Sequence, residues 1–290
     1  MIIFSLSQQD ELTHYLADHL AIPIVQFEMR EFPDTETYLR IKTTVVNKTV
    51  LLIYRLDRPN NKVLSLMFIA KTLKAQGAKK ICLIAPYLPY MRQDQQFQPG
   101  EAVTSVLFAQ FITTCIDELI TIDPHLHRIK KLAAIYPIPA ITLHANALIA
   151  DWIKHHIDLP IIIGPDEESA QWVSGIAHEI NAPFVIAKKI RHNDQDVTVT
   201  LPSFNDHQRK PILVDDIIST GVSMIAITQQ LLEQSFQKPI CVVVHALCNE
   251  ASHQNMLNVG IEQIFSCNTV KHFSNQINIG PLILDGIVSS

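Results

Sequence analysis

Ile212-Leu213-Val214-Asp215-Asp216-Ile217-Ile218-Ser219-Thr220-Gly221-Val222-Ser223 is an apolar run that ends in two acids and passes into a hydroxyl-rich loop with one glycine. Met224, Ile225, Ile227, Leu231 and Leu232 then recur at helical spacing. The reading is strand, short loop, helix. Such a junction cradles an anion, because the free N–H groups and the positive dipole end of the helix face the loop. Ser219, Thr220 and Ser223 add hydroxyl donors, and Gly221 can take the backbone angles that turn successive N–H groups onto one ligand. Asp215 and Asp216 suit a polyol, accepting hydrogen bonds from neighbouring hydroxyls directly or through a divalent ion. Together these residues describe a site for a phosphorylated sugar at the edge of an α/β domain.

The rest of the chain fits that class. Its 290 residues are enough for two domains, and 48% of them are hydrophobic. The 23 basic and 28 acidic residues leave a net charge of −5, which argues against nonspecific nucleic-acid binding and against a basic membrane patch. The start, Met1-Ile2-Ile3-Phe4-Ser5, lacks the basic flank of a signal peptide, and no apolar run is long enough to span a bilayer. Cys82, Cys115, Cys241, Cys248 and Cys267 show no CxxC pairing and read as reduced, mostly buried thiols of a cytoplasmic protein.

The order seen around Asp215 occurs twice. Val50-Leu51-Leu52-Ile53-Tyr54 leads to Asp57-Arg58-Pro59-Asn60-Asn61, then a helical pattern, then Ile81-Cys82-Leu83-Ile84. Ile212-Leu213-Val214 leads to the acidic loop, then a helix, then Ile240-Cys241-Val242-Val243-Val244. Each copy is a βαβ unit whose strands have the continuous apolar character of a covered parallel sheet. This predicts two tandem α/β domains, residues 1–146 and 147–290, with the sugar loop in the second. The first copy lacks the paired acids and hydroxyls, so residues 57–61 are specialised for something else.

Other polar groups fall just past predicted strands, where α/β sheets bind ligands. Arg92-Gln93-Asp94 could hold a phosphate and read a base or ribose, or be a solvated loop before a helix starting near Glu101. Phe32-Pro33-Asp34-Thr35-Glu36 could stack on a purine, or be a hairpin corner. His125 and His127 could bind a metal or be inert surface groups. Asp166 suits Mg²⁺, which takes few protein ligands and keeps waters and phosphate oxygens. Lys189 and Arg191 open a polar stretch between two strands and could close over transferring phosphates, or form an exposed basic turn.

In this order and rough spacing, these segments resemble the ribose-phosphate pyrophosphokinases, most like their shorter archaeal-type class. The resemblance covers nearly the whole chain. It implies two tandem type I phosphoribosyltransferase-like domains and Mg²⁺-dependent transfer of the diphosphoryl group of ATP to the 1-hydroxyl of ribose 5-phosphate, for nucleotide biosynthesis. It also implies roles. Phe32, Asp34, Thr35 and Glu36 would contact the adenine, from a neighbouring subunit of an assembly that is at least a dimer. Arg92, Gln93 and Asp94 would hold ATP, while His125 and Asp166 would position the metal. Lys189 and Arg191 would be catalytic, Arg191 also touching the sugar phosphate. Asp215 and Asp216 would hold the ribose hydroxyls, and Ser219, Thr220, Gly221, Val222 and Ser223 the 5-phosphate. The chain departs from the family pattern at Val222, where many members have a second glycine. It departs also at Gln95, in place of a basic residue, and at Glu167-Glu168-Ser169-Ala170, where relatives carry a glycine-bearing turn. A phosphoribosyltransferase that consumes the product would need the sugar loop without Arg92-Gln93-Asp94 or Lys189 and Arg191. A regulatory paralogue would have lost the cationic pair or the acidic loop.

Overall fold

Every strand predicted around the two sugar-loop-like junctions forms, and each joins a parallel sheet. The computed structural model describes residues 1–6, 10–191, 197–202 and 204–289. In the first half the chain runs through β1 (Ile2–Ser5), α1 (Glu11–Leu20), β2 (Phe27–Glu31), β3 (Thr37–Ile41), β4 (Thr49–Ile53), α2 (Val63–Ala75), β5 (Lys80–Ala85), α3 (Thr104–Ile112), β6 (Glu118–Ile122) and β7 (Ala140–Leu143). A five-stranded sheet has the order β1-β4-β5-β6-β7, all parallel. Ile24 adds one parallel bridge to Ile3 on the outer side of β1. β2 and β3 form a separate antiparallel hairpin.

The second half repeats this plan. It runs through α4 (Asn146–His156), β8 (Pro160–Gly164), α5 (Ala170–Glu179), β9 (Phe184–Ile186), β10 (Lys188–Arg191), β11 (Val197–Thr200), β12 (Lys210–Ile218), α6 (Val222–Glu233), β13 (Ile240–Ala246), α7 (Glu250–Val259), β14 (Gln263–Cys267) and β15 (Asn275–Ile277). Its sheet has the order β15-β14-β13-β12-β8-β9, again all parallel. β10 and β11 pair as an antiparallel hairpin in the place that β2 and β3 hold in the first half. Thus β8, β12, β13, β14 and β15 answer to β1, β4, β5, β6 and β7, and β9 to the bridge at Ile24. The central strands are buried on both faces, which is why they are apolar without alternation: all seven residues of β13 are buried, as are Val50, Leu51, Leu52 and Ile53 of β4.

The last helix, α8 (Gly280–Val288), departs from the predicted division. It packs on α1 and β7, so one compact unit comprises Met1–Leu143 with Gly280–Ser290, and the other His144–Ile279. The division expected after residue 146 falls three residues earlier, and the tail expected in the second domain belongs to the first. The physical reason is apolar surface with a close fit. A Cβ at Gly280 would lie 2.7 Å from the Tyr15 ring, and one at Gly286 would lie 2.9 Å from Leu143. α3 also begins later than predicted, at Thr104, because Glu101 is used to close the preceding turn: its Oε2 accepts from Phe97 N–H at 2.8 Å and Gln98 N–H at 3.1 Å. All five cysteines are buried and free. Among the described residues no helix is long and apolar enough to cross a membrane.

Candidate active site

β12 is longer than the apolar run that announced it. Pairing with β13 continues through Asp215 opposite Val243 and on to Ile218 opposite Ala246, so the two acids lie inside the strand. Asp216 is 5% exposed, and its backbone N–H donates to Asp215 Oδ1 at 3.0 Å. The chain leaves the sheet at Ser219 and turns at Gly221, whose φ of +75° is left-handed. α6 then starts at Val222, and no side chain caps it. Among the described residues, the hydroxyls of Ser219, Thr220 and Ser223 have no hydrogen-bond partner. The junction therefore offers open N–H groups and three hydroxyl donors, as an anion site requires. Val222, the departure from the family pattern, sits at the first helical position and needs no special backbone angle, because Gly221 already makes the turn.

Asp166 follows β8, the neighbour of β12. Its carboxylate accepts from Ser169 N–H at 3.1 Å, and Ser169 Oγ donates back to Asp166 O at 2.6 Å. This box replaces the glycine-bearing turn of relatives and leaves Glu167 and Glu168 exposed. Burial, then the charges of Asp216 and Asp166, push the Asp215 carboxyl well above the ordinary carboxylate range. Asp166 and Asp215 are thus brought together at neighbouring strand ends. A carboxyl so perturbed marks a place where a polar ligand or a cation would replace lost water.

The equivalent loop of the first unit is closed on itself. Lys62 Nζ donates to Asp57 Oδ1 at 2.7 Å and to Arg55 O at 3.0 Å. An ammonium occupies the turn that the second unit leaves open, which explains why residues 57–61 carry no paired acids and hydroxyls.

Past β5, Arg92 is exposed and makes no ion pair among the described residues, and Gln93 is half-buried. Asp94 is different: its side chain is 4% exposed and bonded to Arg128 from the segment after β6. Arg128 in turn lies 5.3 Å from the Phe97 ring centroid. That segment carries the two histidines. Asp123 and His125 have φ of +36° and +48°, and His125 N–H donates to Asp123 O at 2.8 Å. The His125 and His127 Nε2 atoms are 2.9 Å apart. Sequence reading named His127 only as a neighbour and did not name Arg128; the spacing His-x-His was the available signal for the first, and nothing local signalled the second.

Residues 32–36 form the tip of the β2–β3 hairpin, and all five are exposed. Phe32 N–H donates to Glu36 O at 2.8 Å and Thr35 N–H to Phe32 O at 2.9 Å, while Asp34 Oδ1 accepts from Glu36 N–H. Thr35 takes a φ of +71°. Arg30 and Tyr38 face one another across the hairpin, and the Arg30 guanidinium lies 4.8 Å from the Phe32 ring centroid and 4.4 Å from that of Tyr38. Arg30 and Tyr38 were not among the predicted site residues.

Lys189 and Arg191 occupy alternate positions of β10, opposite Val199 and Val197 of β11. Residues 192–196, read as the polar stretch they introduce, lie outside the described residues. Of the implied metal set, His125 belongs to the first unit and Asp166 to the second. No group of three or more His, Cys, Asp or Glu is placed to hold a metal among the described residues. The donors present still fit Mg²⁺, because a carboxylate such as Asp166 with waters and phosphate oxygens suffices for it.

Residues 1–115 match the family described as the N-terminal domain of ribose phosphate pyrophosphokinase, and residues 131–279 match the phosphoribosyl transferase domain. The chain is similar to the ribose-phosphate pyrophosphokinase of Saccharolobus solfataricus, 30% identical over 93% of each chain. It is similar also to that of Sulfurisphaera tokodaii, 29% identical over 96% of each. Among solved structures it resembles phosphoribosylpyrophosphate synthetase from Mycobacterium smegmatis, with a TM-score of 0.83, 22% identity and coverage of 99% of this chain and 97% of that one. At that identity the structural likeness speaks for the fold.

Proposed function

Because the chain belongs to the ribose-phosphate pyrophosphokinase family, we propose that it transfers the diphosphoryl group of ATP to the 1-hydroxyl of ribose 5-phosphate, giving 5-phosphoribosyl 1-diphosphate and AMP. The observation that carries this reading is the β12–α6 junction. Two carboxylates inside a strand lead into an uncapped helix start with three open hydroxyls. No nucleobase needs that combination, whereas a phosphorylated sugar uses all of it. Asp215 and Asp216 would accept from ribose hydroxyls, and residues 219–223 would take the 5-phosphate. Arg92 and Gln93 would grip ATP, with Phe32, Asp34, Thr35 and Glu36 of a neighbouring copy at the adenine. Lys189 and Arg191 would meet the charge on the group in transit.

The chemistry asks the protein for alignment and charge neutralisation. The 1-hydroxyl oxygen attacks the β-phosphorus, the bond to the α-phosphate oxygen breaks, and AMP leaves. Asp166 would hold Mg²⁺ with the substrate's phosphate oxygens, and the ion, when bound, supplies neutralisation of phosphate charge. The assembly would be at least a homodimer, working in the cytoplasm without nucleic acid or membrane.

The test is AMP release from ATP, followed in a coupled assay with and without ribose 5-phosphate. Sugar-dependent AMP release supports the reading. If no AMP is released, yet the protein consumes 5-phosphoribosyl 1-diphosphate in the presence of a base, it is a phosphoribosyltransferase and the proposal fails.

A further inference from the structure

We propose that His125 and His127 together form a two-nitrogen metal seat that takes a transition-metal ion, of the Mn²⁺, Co²⁺ or Zn²⁺ kind, in preference to Mg²⁺. The inference deepens the diphosphokinase reading by naming the metal class at its histidine segment. The resemblance implies one metal-positioning histidine there; the second donor, His127, comes from the structure.

The geometry is specific. The two Nε2 atoms are 2.9 Å apart, with ring centroids 4.3 Å apart and planes inclined by 65°. Nitrogens bound at about 2.1 Å and roughly 90° from each other around one ion are separated by about 3.0 Å. The observed spacing is therefore that of two adjacent donors on one ion. Without an ion, the same spacing makes one imidazole donate its Nε2 proton to the other. Metal binding moves that proton to Nδ1 of the donor ring or to solvent, and both Nε2 lone pairs then point at the ion.

The segment is held for this task from both ends. On one side Asp123 and His125 take left-handed backbone angles, closed by the 2.8 Å bond from His125 N–H to Asp123 O. Such angles in non-glycine residues persist where the surroundings over-determine them. On the other side Arg128, the residue after His127, is fixed to Asp94 through both its backbone and its guanidinium. Donor chemistry then decides the ion. Imidazole nitrogen suits Zn²⁺, Co²⁺, Ni²⁺ and Mn²⁺, while Mg²⁺ is held by oxygens and sheds its waters reluctantly. Two protein nitrogens leave the remaining positions to waters or phosphate oxygens.

The experiment uses the full chain stripped of metal, with no nucleotide present. Co²⁺ is titrated and followed by its visible absorption, and Mn²⁺ and Mg²⁺ are titrated by calorimetry. The expected result is one Co²⁺ or Mn²⁺ per chain, bound at least tenfold more tightly than Mg²⁺. His127→Ala and His127→Gln should each lose at least tenfold in Co²⁺ affinity, with melting temperatures and Mg²⁺ binding near those of the parent. Co²⁺ affinity unchanged in both variants would assign the binding to other histidines and overturn the proposal, as would equal affinity for Co²⁺ and Mg²⁺. Because no ATP is present, Co²⁺ binding without AMP release would sink the diphosphokinase reading alone. Sugar-dependent AMP release with no Co²⁺ site would sink this inference alone.

Discussion

The Asp94 carboxylate accepts two hydrogen bonds from Arg128, one from the backbone N–H and one from guanidinium Nη1, both at 3.1 Å. Residues 34 positions apart are thereby joined, and the loop after β5 is tied to the histidine segment after β6. Asp94→Ala should remove both bonds, and Arg128→Ala only the guanidinium one. Arg128 is half exposed, so its guanidinium bond is screened by solvent and contributes under about 1 kcal/mol. The buried carboxylate makes the backbone bond the stronger of the two, and Asp94→Ala should cost about 1.5–3 kcal/mol. Denaturant unfolding of the two variants measures the difference. Equal losses would show that the guanidinium, not the backbone bond, holds the segment.

The raised pKa of Asp215 gives a stability prediction with a sign. A carboxyl whose folded-state pKa lies above its unfolded value contributes stability that is complete below about 3.9 and is lost as pH rises through the folded value. At neutral pH ionised Asp215 therefore destabilises the ligand-free protein. Asp215→Asn keeps an acceptor for Asp216 N–H and removes the charge. It should raise the melting temperature at pH 7, by roughly 2–4 °C for each kcal/mol relieved, with a gain that shrinks toward pH 4. The same variant should bind ribose 5-phosphate about tenfold or more weakly, from loss of charged hydrogen bonds. A lower melting temperature at pH 7 would contradict the electrostatic account.

Gly221 is where the sugar loop has least latitude. A Cβ there would stand 2.3 Å from Met256 Sδ and 2.8 Å from Met256 Cγ, and the φ of +75° disfavours any side chain. Met256 is fully buried in α7, so its thioether must find new space within the core. Gly221→Ala should cost about 1–3 kcal/mol from strain and overpacking. It should weaken sugar-phosphate binding more than it weakens ATP binding, as separate calorimetric titrations would report. An unchanged ribose 5-phosphate affinity would remove the loop backbone from the phosphate site.

Thr35 presents the opposite case, a β-branched residue at φ +71° on the exposed hairpin tip. Thr35→Gly relieves the strained angle, and the added freedom of the unfolded chain offsets part of the gain. The net expectation is a stabilisation of about 1 kcal/mol. If only the backbone turn matters at this position, KM for ATP should stay within about twofold, well under 1 kcal/mol. A destabilised variant would mean that the Thr35 side chain holds the turn.

Lys189→Ala should lower kcat by orders of magnitude and leave the dissociation constants of ATP and ribose 5-phosphate nearly unchanged, if the cation acts on the group in transit. Arg191→Lys should restore little, because an ammonium does not reproduce the guanidinium fork. Near-normal kcat with a raised KM would reassign the pair to ground-state binding, and Arg92 would be the next candidate.

The sequence by itself determined the two-fold plan and the kind of ligand at the second unit's switch. Continuous apolar strands such as Val50-Leu51-Leu52-Ile53 and Ile240-Cys241-Val242-Val243-Val244 announce a sheet covered on both faces, because hydrophobic patterning is a local code. Asp215, Asp216, Ser219, Thr220 and Gly221 announce a polar junction for the same reason: their chemistry and spacing are written side by side. Tertiary structure decided what depends on partners distant in the chain. β12 runs on through its acids because β13 supplies backbone hydrogen bonds as far as Ala246. α8 returns to the first unit because Tyr15 and Leu143 fit its glycines. Lys62 closes the first copy of the loop, Arg128 claims Asp94, and the left-handed backbone at Asp123 and His125 sets two imidazoles at chelating distance. None of these follows from propensity or period, since each depends on where folding brings two side chains together, and that is fixed only when the sheets and the helices that cover them have packed.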